Sequence, residues 1–78
     1  MAEQEQILLQ GVKNSDKTAF HKLFSNFHDT LFRFVAYRVK DTDLAEDIAQ
    51  ETFFRVWRTR ESIQPKKSFF SLIARIST

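Results

Sequence analysis

Cysteine is absent from this 78-residue sequence, and glycine and proline occur once each. Without cysteine there is no disulfide, thiolate zinc site or cysteine nucleophile, and the composition suits a reducing, cytoplasmic setting. One glycine and one proline are too little turn chemistry for a sandwich or barrel, which argues against an all-β fold. Apolar runs are short, of the Ile7-Leu8-Leu9 kind, and none approaches the ~20 residues that span a bilayer. The acidic, Gln-rich start lacks the basic n-region of a secretion signal. No membrane partner is expected.

What is present is a dense apolar complement. Hydrophobic residues make up 42% of the chain and phenylalanine alone contributes 9 positions. The length allows one small domain, and a domain this size buries only about 60–65% of its unfolded surface, so its core has to be efficient. Charge is unevenly placed. Residues 1–50 hold six Lys/Arg against eight Asp/Glu, whereas residues 51–78 hold six against two. A basic end on an otherwise acidic domain hints at a polyanionic partner there, although an uneven solvated surface would look the same.

The periodicity predicts an all-α domain of three to four helices. Residues 2–12 form a short helix around Ile7, Leu8 and Leu9, with Gly11 and Asn14-Ser15 supplying its stop and Ser15 or Asp16 the next N-cap. From Asp16 to Lys40, Phe20, Leu23, Phe24, Phe27, Leu31, Phe34, Val35 and Val39 recur at three- and four-residue steps, one wide stripe on a long helix. Asp41-Thr42-Asp43 opens a third helix, with Glu46 in capping-box-like spacing after Asp43, running to about Arg60. Residues 61–68 contain the proline and read as a loop. A last helix starts near Ser68 with Phe69, Leu72, Ile73 and Ile76 on one face. It reaches Thr78 without a C-cap signal, so the chain reads as a fragment of a longer protein. The expected interior is Leu23, Phe27, Leu31, Val35, Ile48, Thr52, Val56 and Ile73.

The third helix has two faces. With Ile48 at the origin of a wheel stepped by about 100° per residue, Leu44, Ala45, Ile48, Ala49, Thr52 and Val56 make a buried stripe. Phe53 and Trp57 fall at one flank. Opposite lie Asp47, Gln50, Glu51, Phe54 and Arg58. A solvated face has no use for a phenylalanine, so Phe54 among charges and amides describes a protein-binding patch, unless it packs beneath another element.

The stretch Asp47-Ile-Ala-Gln-Glu-Thr-Phe-Phe-Arg-Val-Trp57 resembles the D-x-x-Q-E-T-F-x-x-x-W signature of bacterial sigma factors of the extracytoplasmic-function group, in their region 2. Ala19-Phe20 and Leu23-Phe24 are similar to that family's A-F-x-x-L-(F/Y), and Asp43-Leu-Ala-Glu-Asp47 to its D-A-E-D lead-in. Ser68 to Thr78 is similar to its S-F-R-x-W-L-x-x-I-A-R helix. The likeness covers nearly all of residues 1–78, which would then form one region 2 domain without the second, C-terminal DNA-binding domain. Phe70 stands where the family often has Arg, Leu72 where it usually has Trp, and Ser77-Thr78 where it has Ala-Arg. These departures fall in the promoter-reading helix.

The resemblance implies a transcription-initiation module with no chemistry of its own. Its third helix would dock on the clamp helices of the largest RNA polymerase subunit through Gln50 and Glu51, with Asp47, Phe54 and Arg58 beside them. The following loop and last helix would hold the single-stranded, non-template −10 promoter element, with bases flipped out and cations on the backbone. The matching residues are Arg60, Ser62, Gln64, Lys66, Lys67, Phe70 and Arg75, with Ser62 and Gln64 as hydrogen-bonding groups and Lys66, Lys67 and Arg75 on phosphates. Phe70 could stack on a base, whereas Phe69 lies on the core stripe. An anti-sigma protein is a further partner class.

His21 and His28 lie seven apart on the long helix without a third ligand, and read as surface histidines rather than a metal site. No cofactor is expected. No nucleophile–base pair or phosphate-binding glycine loop stands out, so the chain does not read as an enzyme. The alternative is a helical protein-interaction domain that keeps the same fold, binds no DNA and acts as a regulatory decoy.

Overall fold

The Asp16 carboxylate accepts hydrogen bonds from the backbone N–H groups of Thr18 at 2.9 Å and Ala19 at 3.3 Å, satisfying two donors that a helix start otherwise leaves unpaired. The helix it opens is α2 (Lys17–Val39) in the computed structural model, which describes residues 2–77. Before it lies α1 (Ala2–Lys13), and after it α3 (Thr42–Arg58), a 3-10 turn (Arg60–Ser62) and α4 (Phe69–Ser77). The described residues contain no strand, and the domain is all-α. At about 1.5 Å per residue α2 is roughly 34 Å long, equal to the longest dimension of the domain, 34 Å. It is the spine on which the other helices pack.

Two residues join α2 to α3. Lys40 adopts a left-handed conformation (φ 56°) and its N–H reaches the Ala36 carbonyl at 2.8 Å, closing α2 as an αL cap. Asp41 then caps α3, its carboxylate accepting from the Leu44 N–H at 3.1 Å. The capping box expected at Asp43 does not form, because the N-cap lies two residues earlier. Glu46 is thereby released for contacts of its own.

Leu9, Val12, Leu23, Leu31, Val35, Ala45, Ala49, Phe53, Val56, Ile63, Phe69 and Ile73 form one continuous core. Of the expected interior, Leu23, Leu31, Val35, Thr52, Val56 and Ile73 are buried, while Phe27 and Ile48 are half-buried at the rim. Thr52 is tolerated inside because its hydroxyl donates to the Ile48 carbonyl at 2.7 Å. Phe53 packs against Phe24 and Phe69 at ring-centroid distances of 4.8 and 6.3 Å.

Several expectations need correction. Phe53 is buried rather than flanking, and Leu44 is 46% exposed. On the wheel, the side chains of α3 that are buried centre about 80° away from Ile48, which brings Phe53 in and turns Leu44 out. α3 ends at Arg58, and the next residues tighten into the 3-10 turn instead of extending the helix or opening directly into a loop. Gly11 does not stop α1. It lies within the helix, and a Cβ at this position would come 2.8 Å from the Cβ of Ala19 on α2. The glycine therefore permits the close crossing of α1 and α2. The chain reverses later, at Ser15, which takes the positive φ of 68°.

Two side chains cap α4, and one of them ties the ends of the chain together. The Glu5 carboxylate on α1 accepts from the Phe69 N–H at 3.0 Å, and the Ser68 hydroxyl accepts from the Ser71 N–H at 3.2 Å, so α4 is capped twice. Ile63, 4% exposed, pins the segment between α3 and α4 to the core.

Candidate functional site

Asp47, Gln50, Glu51, Phe54 and Arg58 all project from the side of α3 opposite its buried stripe, and all are exposed. Phe54 is 58% exposed. The Arg58 guanidinium lies over its ring, 4.8 Å from the centroid, so the aromatic face is partly shielded by a cation–π contact. Glu51 accepts from Arg55 Nε at 3.3 Å and lies 3.6 Å from Arg58. These pairs are more than half exposed, and such pairs add little to folding. They hold the charges in register without removing them from solvent.

Behind this face sits a cluster that the periodicity did not indicate. Glu46 Oε1 accepts from Gln50 Nε2 at 3.2 Å and lies 3.2 Å from His28 Nε2 on α2. The hydrogen bond from Gln50, and next the one from His28, hold the Glu46 carboxyl below its ordinary pKa. His28 is not a surface histidine. Its ring is half-buried at the α2–α3 contact and stacks on Phe24 at 5.1 Å, with Nδ1 3.4 Å from Asp29 Oδ1. The aromatic stripe of α2 conceals it, because the helical period alone does not distinguish a histidine at its margin from one in solvent. The clue available in the sequence was Glu46, four residues before Gln50 and hence on the same side of α3. His21 is exposed. Among the described residues no group of three His, Cys, Asp or Glu side chains is placed to hold a metal ion.

The basic end is arranged differently. Ser62, Gln64, Lys67 and Arg75 line one cavity of about 140 Å³ between the 60–68 segment and α4. Lys66 and Lys67 border a wider groove of about 560 Å³, whose other walls include Glu5 of α1 and Asn26 and Phe27 of α2. Lys67 thus belongs to both. Asn26 and Glu5 were missed, since nothing in their local sequence places them beside a loop forty or more residues away.

Arg60 and Phe70 point elsewhere. Arg60 donates from Nε to Ser15 Oγ at 2.7 Å and from Nη1 to the Trp57 carbonyl at 2.9 Å, with its guanidinium 4.5 Å from the centre of the Trp57 ring. It is a strut between the α1–α2 turn and the end of α3. Phe70 is half-buried and meets Phe34 edge-on at 5.6 Å. The Ser62 hydroxyl donates to the Thr59 carbonyl at 2.8 Å, which stabilises the 3-10 turn.

The family profile described as Sigma-70 region 2 matches residues 23–76, a span that includes most of α2 and all of α3. The chain is similar to the RNA polymerase sigma-H factor of Pseudomonas aeruginosa, 29% identical over 75 residues, covering 96% of this chain and 39% of that protein. It is similar also to the ECF RNA polymerase sigma-E factor of Haemophilus influenzae, 32% identical over 99% of this chain and 41% of that protein. With the ECF RNA polymerase sigma factor SigX of Bacillus subtilis it shares 36% identity over 72% of this chain and 30% of that protein. The chain spans about two fifths of the length of the first two relatives. No solved structure matches it.

Proposed function

The chain belongs to the sigma-70 region 2 family, as an extracytoplasmic-function type of region 2, and from that membership we propose that it is a transcription-initiation module that docks on RNA polymerase. Residues 1–78 act as one such domain in the cytoplasm, and no described helix is long and apolar enough to cross a membrane. Members of the family are initiation factors rather than enzymes, so the work of the domain is binding. The observation that carries the reading is the exposed phenylalanine at the centre of a charged helix face, inside the matched span. Asp47, Gln50, Glu51, Phe54 and Arg58 form a surface that is soluble alone and buries an apolar anchor when covered, the anatomy of a separable interface. Its partner in this reading is the pair of clamp helices on the largest polymerase subunit. An anti-sigma protein is the regulator to seek.

The second surface takes the single-stranded non-template −10 element. Ser62 and Gln64 offer hydrogen bonds to an unstacked base, while Lys66, Lys67 and Arg75 offer positive charge to its phosphates. Arg60 and Phe70 do not line this surface: the one is held by Ser15 and Trp57, and the other packs on Phe34. That inward orientation also favours a second reading, a polymerase-binding domain that makes no DNA contact. The test has two arms. Glu51→Lys should abolish most of the binding to polymerase core while the melting temperature stays nearly constant, and unchanged binding refutes the docking face. With wild-type chain bound to core, a single-stranded −10 oligonucleotide should be retained in a salt-sensitive manner, and its absence selects the second reading.

A further inference from the structure

The contact of Glu46 with both His28 and Gln50 bears on how the docking face is presented. An ionised carboxylate can only accept hydrogen bonds. The end of the Gln50 side chain that faces Glu46 Oε1 at 3.2 Å is therefore its NH2 group, which turns the Gln50 carbonyl away from Glu46. For the same reason His28 Nε2, at 3.2 Å from that oxygen, carries a proton. His28 is anchored in turn by stacking on Phe24 and Phe53, at 5.1 and 6.4 Å. One oxygen atom thus joins a rigid ring on α2 to an exposed amide on α3.

We propose that Glu46, held in place by His28, is a positioning residue that orients Gln50 as a hydrogen-bond acceptor for the docked partner. The inference rests on the assignment of Gln50 to the polymerase-binding face. It adds two specific points: α2 contributes to the interface without touching it, and the partner group that meets Gln50 is a donor, such as a cationic side chain or a backbone N–H. An unrestrained glutamine would have to give up side-chain rotamer freedom on docking, and a pre-set one gives up less. The expected gain is that of one ordered hydrogen bond, about three- to tenfold in affinity.

The experiment is a double-mutant cycle on binding of the 78-residue chain to RNA polymerase core. Glu46→Ala should weaken binding about three- to tenfold, and Glu46→Gln, which keeps an acceptor facing Gln50, should restore most of it. Gln50→Ala should weaken binding at least as much, and adding Glu46→Ala to it should change nothing further, because the two act through one contact. In the free chain, the side-chain NH2 resonances of Gln50 should move on Glu46→Ala and stay near their wild-type positions in Glu46→Gln. Equal further loss in the Gln50→Ala background would overturn the proposal in favour of direct contact by Glu46. Wild-type affinity of Glu46→Ala, or unmoved Gln50 resonances, would overturn it as well. Wild-type affinity of both Glu51→Lys and Gln50→Ala would reject the docking face itself, and the positioning role would fall with it even if the resonances moved.

Discussion

The outer face of α3 and the segment from Arg60 to Ser68 are both rich in polar and charged residues, and they are built on opposite plans. On α3 a single helix carries the whole set. Once the inner stripe is buried, every outer side chain has its direction decided by the helical step. In the 60–68 segment the anchored side chains are each aimed by a separate contact: Arg60 by Ser15 and Trp57, Ser62 by Thr59, Ile63 by the core. A helix face is a collective property and a loop surface is an individual one. The first survives substitutions among its members, and the second depends on which residue holds which strut.

The largest test of that contrast is to remove the support on which the α3 face rests. Phe53→Ala, at a position 2% exposed, should destabilise the domain by about 3–5 kcal/mol. Urea unfolding measures it, and a loss below 1 kcal/mol would mean the helix is held by something other than its buried side. Ile63→Ala is the counterpart in the loop and should cost about 2–5 kcal/mol. It should also loosen the 60–68 segment in hydrogen exchange more than it loosens α3. Uniform loosening of both regions would erase the distinction between collective and individual support.

Next comes Glu51→Lys, with binding to polymerase core reduced at least tenfold, equivalent to about 1.4 kcal/mol, and stability altered by no more than about 0.5 kcal/mol. A large drop in melting temperature would show that the face contributes to folding after all. For the basic segment, Lys66→Ala with Lys67→Ala should leave stability unchanged. It should reduce the salt slope of single-strand binding by about 1.4, since each lost phosphate contact removes about 0.7. An unaltered slope would place both lysines in plain solvent.

The smallest effect concerns pH. The Glu46 pKa is lowered in the folded chain, so the group contributes stability at pH above the unfolded carboxylate value of about 4.3. That contribution disappears as pH falls through the lower, folded value. Because the group is partly exposed and screened by solvent, the effect is slight, and Glu46→Gln should flatten the acid limb of the stability curve below about pH 5 without moving its neutral plateau. A steeper acid limb in the variant would contradict the sign.

The contrast also explains what could be read from the sequence. The helices, the stripe on α2 and the exposed outer face of α3 follow from three- and four-residue spacing, and so were legible. The face came out whole even though the wheel was centred on Ile48, because all five residues lie within a broad arc that tolerates that error. The same offset misassigned Leu44 and Phe53, which lie near the boundary. Arg60, Phe70 and Ile63 were not legible, because their orientations depend on Ser15, Phe34 and the core, tens of residues away. Gly11 was misread for a related reason: its role is decided by Ala19 across a helix crossing.

That crossing has a bearing on protein engineering. Replacing a helical glycine with alanine is ordinarily among the safest ways to raise stability, worth about 0.5–1 kcal/mol in a helix interior. A scheme that ranks sites by propensity would choose residue 11 first. Here the added methyl would meet the Ala19 Cβ at 2.8 Å, and neither atom sits on a flexible stem, so the two helices would have to separate. α1 also carries Glu5, whose bond to the Phe69 N–H spans 64 positions of chain. A one-carbon change near the start of the sequence would thus be felt at the helix cap near its end, and a thermostabilised variant of this domain has to be sought elsewhere.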